Sequence, residues 1–122
     1  MTGPYRFRPN HRLLTAADFE RVYRGGRRAG DGLFAVNALA NDRGHARLGM
    51  SVSARTVGNA VRRNRVRRII REVFRHERPR LPALDFVVTS RPGARAADRP
   101  AIATSLEHLF AEASRRCAAI RP

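Results

Sequence analysis

Residues 58–75 contain a dense row of arginines whose spacing suits binding to a polyanion. When this segment is wound as a helix of about 3.6 residues per turn, an apolar side and a cationic side separate. The apolar stripe consists of Val66, Ile69, Ile70 and Val73, and the opposite side carries Asn64, Arg67, Arg68, Arg71 and Arg75. Such a row repels itself unless an anion neutralises it, and only Glu72, which can pair with Arg68 one turn earlier, interrupts it. The spacing therefore favours a phosphate backbone as the partner over a merely solvated charged face.

The overall composition also indicates a nucleic-acid partner. The chain has 122 residues, a formal net charge of +15 and a pI near 11.9. It contains 25 arginines and no lysine. A planar guanidinium group binds phosphate through two parallel hydrogen bonds and stacks on bases, which an ammonium group does not do. Because 43% of the residues are hydrophobic and regularly patterned, we expect one folded domain over residues 1–122 and not a disordered basic tail.

The titratable residues form no recognisable catalytic or metal-binding pattern. The four histidines fit no ligand spacing, the ten carboxylates include no paired motif for two-metal nuclease chemistry, and Cys117 is the only cysteine. No apolar run approaches the length of a membrane span, and no segment resembles a signal peptide. The sequence therefore predicts a cytoplasmic protein with no catalytic residue and no metal or cofactor held by the protein itself. We also expect the free protein to be a monomer.

The segment before the arginine row predicts a basic arm and one short helix. Residues 1–11 contain prolines and arginines without periodicity, so we expect a flexible arm. Thr15 can cap the helix, and Asp18 follows at the position of a capping box. The glycine pair Gly25–Gly26 should end the helix.

Three apolar runs predict strands. The run 33–40 is uncharged, the run 47–53 alternates apolar and polar residues, and turn residues lie between them. We therefore expect these two runs to pair as an antiparallel hairpin. The run 84–89 is apolar enough to be a central strand. The arginine-rich helix between them should stop near Arg78–Pro79, because the residue before a proline resists helical geometry.

The C-terminal part predicts a second long helix. After a loop over residues 91–99, Asp98 and Pro100 supply helix start signals. The apolar stripe of this helix consists of Ile102, Leu106, Leu109, Phe110 and Ala113. The periodicity is lost from Arg115, so we expect residues 115–122 to fray. The order helix, strands, helix, strand, helix predicts a sheet covered by helices, in the α+β class.

A composite motif surrounds the arginine row. It begins with Gly58-Asn59-Ala60-Val61, continues with Arg63-Asn64-Arg65, and ends with basic, aliphatic and acidic positions from Arg67 to Glu72. This motif resembles the signature of the bacterial ribonuclease P protein family. Three further matches stand in the expected order, namely Asp18-Phe19 with Val22-Tyr23, then residues 47–53, then residues 85–88. The resemblance extends from about Arg12 to Ala113.

The resemblance implies both a fold and a function. The fold would be a compact α/β sandwich of order α-β-β-β-α-β-α, with a short first strand around Arg27–Ala29. Its β-α-β connection through the arginine-rich helix would be left-handed, against the usual preference. The function would be that of the small subunit of a ribonucleoprotein, in which a large catalytic RNA removes the 5′ leader from precursor tRNA. The implied partners are that RNA and precursor tRNA, and the implied Mg²⁺ ions are held chiefly by RNA.

Carried over residue by residue, the resemblance implies two binding surfaces. The catalytic RNA would contact Arg55, Asn59, Arg62, Arg63, Asn64, Arg65, Arg67, Arg68 and Arg71. The single-stranded leader would lie in a cleft between the first helix, the sheet and the arginine-rich helix, lined by Arg12, Phe19, Tyr23, Phe34 and Val36. The chain departs from the family pattern at Ala54, where a second cation beside Arg55 is expected. It also departs at Asn37, where an aromatic residue could help to line the cleft.

From the residues alone, simpler interpretations stay open. Phe19 and Phe34 could be core residues, whereas Tyr23 should be exposed at one edge because its hydroxyl needs water or a partner. The residues assigned to the core outright are Phe74, Phe86 and Phe110. A structural or ribosomal RNA-binding protein would share the charge and size but would not require the Arg-Asn-Arg motif. A DNA-binding regulator would expose mixed polar residues that contact base edges, whereas an arginine face positions a protein on phosphates and discriminates bases poorly.

Overall fold

The computed structural model describes residues 11–12 and 15–118. The helices are α1 (Ala16–Gly25), α2 (Ala54–Val57), α3 (Ala60–Glu77) and α4 (Arg99–Ala118), and the strands are β1 (Arg27–Gly30), β2 (Phe34–Ala40), β3 (Arg47–Ser51) and β4 (Leu84–Ser90). Short 3-10 helices cover Arg78–Arg80 and Pro92–Arg95. The predicted α+β class is confirmed, with α2 as an additional turn. Of the arm predicted over residues 1–11, only His11 belongs to the described residues.

The four strands form one sheet in the order β1-β2-β4-β3. Strand β4 pairs antiparallel with β2 and parallel with β3. The predicted hairpin of residues 33–40 with residues 47–53 is therefore wrong, because β4 lies between the two strands. Residues 84–88 are all buried, which is typical of a central strand, and the central position lets β4 satisfy its backbone hydrogen bonds with β2 on one side and β3 on the other. The parallel connection from β3 to β4 passes through α2 and α3, and its hand stays a prediction.

The main core lies between one face of the sheet and the helices α3 and α4. The predicted stripes of both helices are buried there, namely Val66, Ile69, Ile70 and Val73 of α3 and Ile102, Leu106, Leu109, Phe110 and Ala113 of α4. At its centre the rings of Phe74, Phe86 and Phe110 pack as one cluster, with centroids 5.3 to 6.5 Å apart. These predictions are confirmed, and burial of the stripe turns the arginine side of α3 outward.

Helix α1 covers the opposite face of the sheet. Val22 and Val87 are completely buried beneath it, and Phe19 and Leu39 pack against them. The helix begins after the predicted Thr15 cap and ends at the predicted glycine pair. The sheet is therefore covered on both faces, by α3 and α4 on one and by α1 on the other.

No helix within residues 15–118 is long and apolar enough to cross a membrane.

The arginine-rich helix begins after a break in the chain. Residues 54–57 form α2, Gly58 then adopts a φ of 108°, and Asn59 caps α3 by accepting a hydrogen bond from the N–H of Arg62 at 3.0 Å. A positive φ suits glycine because it lacks a Cβ atom. Helix α3 ends directly before the predicted stop at Arg78–Pro79. Gly58 and Asn59 therefore mark the start of the helix, and Arg78–Pro79 marks its end.

Helix α4 is longer than the sequence predicted. It begins at the predicted Asp98 cap. It runs as far as Ala118, so the fraying predicted for residues 115–122 is wrong up to that residue, and the rest of that tail lies outside the described residues. Burial explains the extension, because Cys117 is only 8% exposed and its thiol donates a hydrogen bond to the carbonyl oxygen of Ala38 at 3.2 Å.

Candidate nucleic-acid interface

The outward side of α3 presents an open row of arginines, which we call the arginine face. Its exposed members are Arg62, Asn64, Arg65, Arg68, Arg71 and Arg75. Among the residues that the structure describes, no carboxylate lies within 4.0 Å of any arginine from position 62 to position 75. Like charges on adjacent turns of one helix destabilise each other unless an anion intervenes. The arginine face is therefore a surface suited to a polyanion.

The acidic residues of α3 pair away from this face. Glu72 accepts a hydrogen bond from Arg99 of α4 at 2.6 Å, so the predicted pair of Glu72 with Arg68 is wrong. Glu77 pairs with Arg80 at 2.8 Å, beyond the end of the helix. The tertiary partner in α4 therefore prevails over the local one, and Arg68 stays available to a ligand.

The other residues predicted to contact RNA lie around the arginine face. Arg55 is exposed on α2, whereas the side chain of Asn59 is engaged in capping α3. Arg67 is partly buried and donates to Oδ1 of Asn64 at 3.2 Å. Arg63 is also partly buried, and its Nε atom is enclosed without a hydrogen-bond partner. Arg63 and Arg67 thus lie at the border of the exposed row.

A second surface, which we call the tyrosine edge, lies along one side of α1 and consists of Phe19, Tyr23, Thr89 and Ser51. The ring of Tyr23 is 44% exposed, and its centroid lies 6.4 Å from that of the partly buried Phe19. The Tyr23 hydroxyl lies 3.1 Å from Oγ1 of Thr89 on β4, and Thr89 pairs with Ser51 at the end of β3. An exposed aromatic ring held in this way offers a stacking surface for a nucleobase.

These two surfaces can be compared with those of known proteins. The family described as Ribonuclease P matches residues 7–114 of the chain. The chain belongs to this family. The ribonuclease P protein component of Syntrophobacter fumaroxidans is 50% identical over 96 residues, which are 77% of this chain and 80% of that protein. The resemblance inferred from the composite motif is confirmed.

Solved structures of ribonuclease P proteins share the fold. The protein from Staphylococcus aureus is 36% identical and superposes with a TM-score of 0.79, over 85% of this chain and 97% of that one. The protein from Thermotoga maritima is 28% identical with a TM-score of 0.74, over 85% of this chain and 96% of that one. Membership in the ribonuclease P family implies an RNA partner, which agrees with the charge of the arginine face.

The structure corrects the predicted lining of the leader cleft. Phe34 and Val36 are completely buried in the main core, on the sheet face that α3 and α4 cover. Side chains alternate along a strand, so the face of β2 beneath α1 carries Ala35, Asn37 and Leu39 instead. The assignment of Phe34 and Val36 to a cleft beside α1 is therefore wrong. The residues of β2 that face α1 are shifted by one position from those that were predicted.

The other predicted cleft residues are only partly brought together. Phe19 and Tyr23 lie side by side on α1, as the resemblance implies. Arg12 is exposed, and its backbone forms a parallel bridge with Leu48 at the outer edge of β3. A role for Arg12 in binding the leader stays a prediction.

A buried ion cluster beneath α1 was not predicted from the sequence. Asp85 of β4 is completely buried, and its carboxylate accepts hydrogen bonds from Nε and Nη2 of Arg47, each at 2.8 Å. Asn41 donates to the same carboxylate at 2.8 Å, and Arg21 of α1 donates as well. Burial by itself would raise the pKa of Asp85, but these hydrogen bonds outweigh it and hold the pKa below its usual value. The hydrogen bond to Asp85 in turn raises the pKa of Arg47.

This ion cluster fixes α1 on the sheet. Arg21 belongs to α1, whereas Asp85 and Arg47 belong to β4 and β3, so the cluster joins three elements. Residues 21 and 23 point about 200° apart on a helix, so the cluster holds α1 on one side while Tyr23 stays open on the other. The signal in the sequence was an aspartate within an apolar strand, since a buried carboxylate is almost always paired.

The described residues offer no metal site. Within residues 11–12 and 15–118, no group of three histidine, cysteine, aspartate or glutamate side chains could hold a metal ion. His11 and His45 contact each other with ring centroids 5.0 Å apart. That the Mg²⁺ ions of the assembled enzyme are held by RNA stays a prediction.

Proposed function

We propose that this protein binds the catalytic RNA of ribonuclease P through the arginine face and promotes removal of the 5′ leader from precursor tRNA. The RNA performs the hydrolysis with Mg²⁺ ions that it holds chiefly itself, and the protein supplies binding and positioning. The free protein is a monomer, and it acts in the cytoplasm. The observation that carries this proposal is that no carboxylate of residues 11–12 and 15–118 pairs with the arginines of the arginine face.

Counterion release explains why an unpaired arginine row favours RNA binding. Each guanidinium group that neutralises a phosphate releases condensed counterions, so the affinity is high at low salt and falls as salt rises. The arginines lie on one rigid helix whose opposite side is buried in the main core. Because the helix is in place before RNA arrives, binding costs little backbone conformational entropy, and the cost that is left is the ordering of the arginine side chains.

The tyrosine edge is proposed to hold the single-stranded leader. Stacking of a base on an aromatic ring contributes about 1–3 kcal/mol and tolerates any base, because every base has a stackable face. The hydroxyl contact with Thr89 restrains the Tyr23 ring at the end of β4. The arginine face starts just beyond α2, which follows the end of β3 at this same edge. RNA bound at the two surfaces would therefore meet near α2.

Reconstituted cleavage tests the proposal. Purified protein, its cognate large RNA and a 5′-extended precursor tRNA are mixed at low Mg²⁺, and leader removal is measured with and without the protein. We expect strong stimulation by the protein and no cleavage by the protein alone. Tight RNA binding without stimulation would contradict the proposal and would instead indicate a structural RNA-binding protein on the same scaffold.

A further inference from the structure

The segment after β4 brings another arginine to the start of α3. Pro92–Arg95 forms a 3-10 helix that packs on α2, and its Ala94 is completely buried in the main core. Gly93 donates a hydrogen bond to the carbonyl oxygen of Gly32 at 3.1 Å, and a Cβ atom on Gly93 would lie 2.4 Å from that oxygen. Only glycine permits so close an approach. The backbone that carries Arg95 is therefore held in place on two sides.

Arg95 and Arg62 converge on Gly58. A Cβ atom built on Gly58 would lie 3.3 Å from Nη1 of Arg62 and 3.7 Å from Cζ of Arg95. Both arginines are exposed, and neither has a carboxylate within 4.0 Å among the described residues. Two cations placed this close repel each other, and an anion bound between them adds two attractions that outweigh the repulsion.

We propose that Arg62 and Arg95 together bind one phosphate group of an RNA strand, an inference that rests on the proposed function. A phosphodiester has two free oxygens, and a charge-assisted hydrogen bond spans about 2.8 Å, so one phosphate can accept from both guanidinium groups. Arg65 turns toward the same segment, since it donates to the carbonyl oxygen of Ala97 at 3.4 Å. The RNA-binding surface thus extends from the arginine face onto the segment that follows β4.

A double-mutant cycle tests whether the two arginines share a phosphate. The affinity for the catalytic RNA is measured at several salt concentrations for the wild type, Arg62→Ala, Arg95→Ala and the double variant. We expect each single change to weaken binding roughly tenfold and to lower the log–log salt slope by about one unit. The double variant should be little weaker than either single variant, because the shared contact is already lost. Losses that multiply in the double variant would overturn the shared site.

Charge-matched variants separate this contact from a general loss of charge. Arg43 is an exposed arginine in the turn before β3, where it borders a groove with Asp18 and Arg47 at the far end of the sheet. Because charges beyond about 10 Å are screened at moderate salt, Arg43→Ala should change the affinity by less than about twofold. Arg95→Lys keeps the charge and should recover part of the loss. If Arg43→Ala weakened binding as much as Arg95→Ala, the site at Gly58 would be refuted.

Two RNA strands offer the same phosphate chemistry, and the assays distinguish them. If the phosphate belongs to the catalytic RNA, Arg95→Ala loses affinity for that RNA alone. If the phosphate belongs to the leader, Arg95→Ala loses affinity only in the assembled enzyme, for leader-bearing precursor and not for mature tRNA. No effect of Arg95→Ala in either assay would overturn the inference while leaving the proposed function intact. Wild-type protein that binds neither RNA would instead overturn the proposed function, and this inference with it.

Discussion

Two groups of arginines in this protein lie in opposite environments. Beneath α1, the buried Arg47 shares the completely buried carboxylate of Asp85 with Arg21, which reaches down from α1 and is itself partly exposed. On the arginine face, no carboxylate of the described residues lies within 4.0 Å of any arginine. The same side chain therefore joins secondary-structure elements in one region and is free to bind a ligand in the other.

The placement of the few carboxylates creates this difference. The chain has ten acidic residues against 25 arginines, so the carboxylates are too few to give each arginine a partner of its own. Asp85 lies inside the central strand, where two arginines reach it, and Glu72 is drawn to Arg99 on α4. Total charge indicates a nucleic-acid partner, but the segregation of the acids determines which surface can bind it.

Removal of Asp85 should produce the largest effect. In Asp85→Ala, Arg47, which is only 7% exposed, loses both hydrogen bonds to a carboxylate and keeps a longer contact with Asp18 at 3.9 Å. Loss of one member of a buried pair costs about 3–5 kcal/mol. Urea unfolding without RNA measures this change, and Glu107→Ala on the exposed side of α4 is the control, with an expected change below about 0.5 kcal/mol. A change in Asp85→Ala no larger than that of the control would contradict an anchoring role for the cluster.

Acid should weaken the same cluster. The folded-state pKa of Asp85 lies below its ordinary value of 3.8, because the hydrogen bonds from Arg47, Arg21 and Asn41 outweigh the opposing effect of burial. Its contribution to stability is therefore complete above that ordinary pKa and is lost as the pH falls through the lower folded-state pKa. Measured from pH 7 down to about pH 2, the free energy of unfolding should fall less in Asp85→Asn than in the wild type. Equal losses in the two proteins would show that Asp85 does not take up the proton.

Tyr23→Ala should have a smaller effect, confined to the substrate. If a leader base stacks on this ring, the variant should lose about 1–3 kcal/mol of the preference for leader-bearing precursor over mature tRNA. Tyr23→Phe keeps the stacking surface and gives up only the exposed contact with Thr89, so it should retain most of the preference. The measurement is the affinity of the assembled enzyme for both tRNAs. An unchanged preference in Tyr23→Ala would leave the ring a purely structural role.

Helical periodicity made the arginine face predictable from the sequence. In α3 the apolar and cationic residues alternate with the period of the helix, so burial of one side determined the exposure of the other. The caps at Thr15 and Asp98 each accept from an N–H only three residues ahead, so these two helix starts could be inferred locally. Asn59 caps α3 in the same way, although the resemblance had assigned it to the RNA. Features that depend on spacing within one helix could therefore be predicted from the sequence.

Features that depend on contacts between distant parts of the chain could not be predicted from the sequence. The register of β2 was misjudged because Phe34 to Asn37 are buried on both faces, so no alternation of polar residues marks the side beneath α1. Glu72 has a local candidate partner in Arg68, but its actual partner lies 27 residues away. The convergence of Arg95 on Gly58 likewise depends on how the segment after β4 packs.

The salt dependence of RNA binding tests the central claim most directly. Arg68→Ala removes an arginine with no carboxylate within 4.0 Å in the described part of the chain, whereas Arg80→Ala removes one that is paired with Glu77 at 2.8 Å. Both variants lose one positive charge. We expect the log–log slope of affinity for the catalytic RNA against salt to fall by about one unit in Arg68→Ala and to stay at the wild-type value in Arg80→Ala. Equal slopes in all three proteins, or an equal fall in both variants, would contradict the claim that unpaired arginines on α3 bind the phosphates.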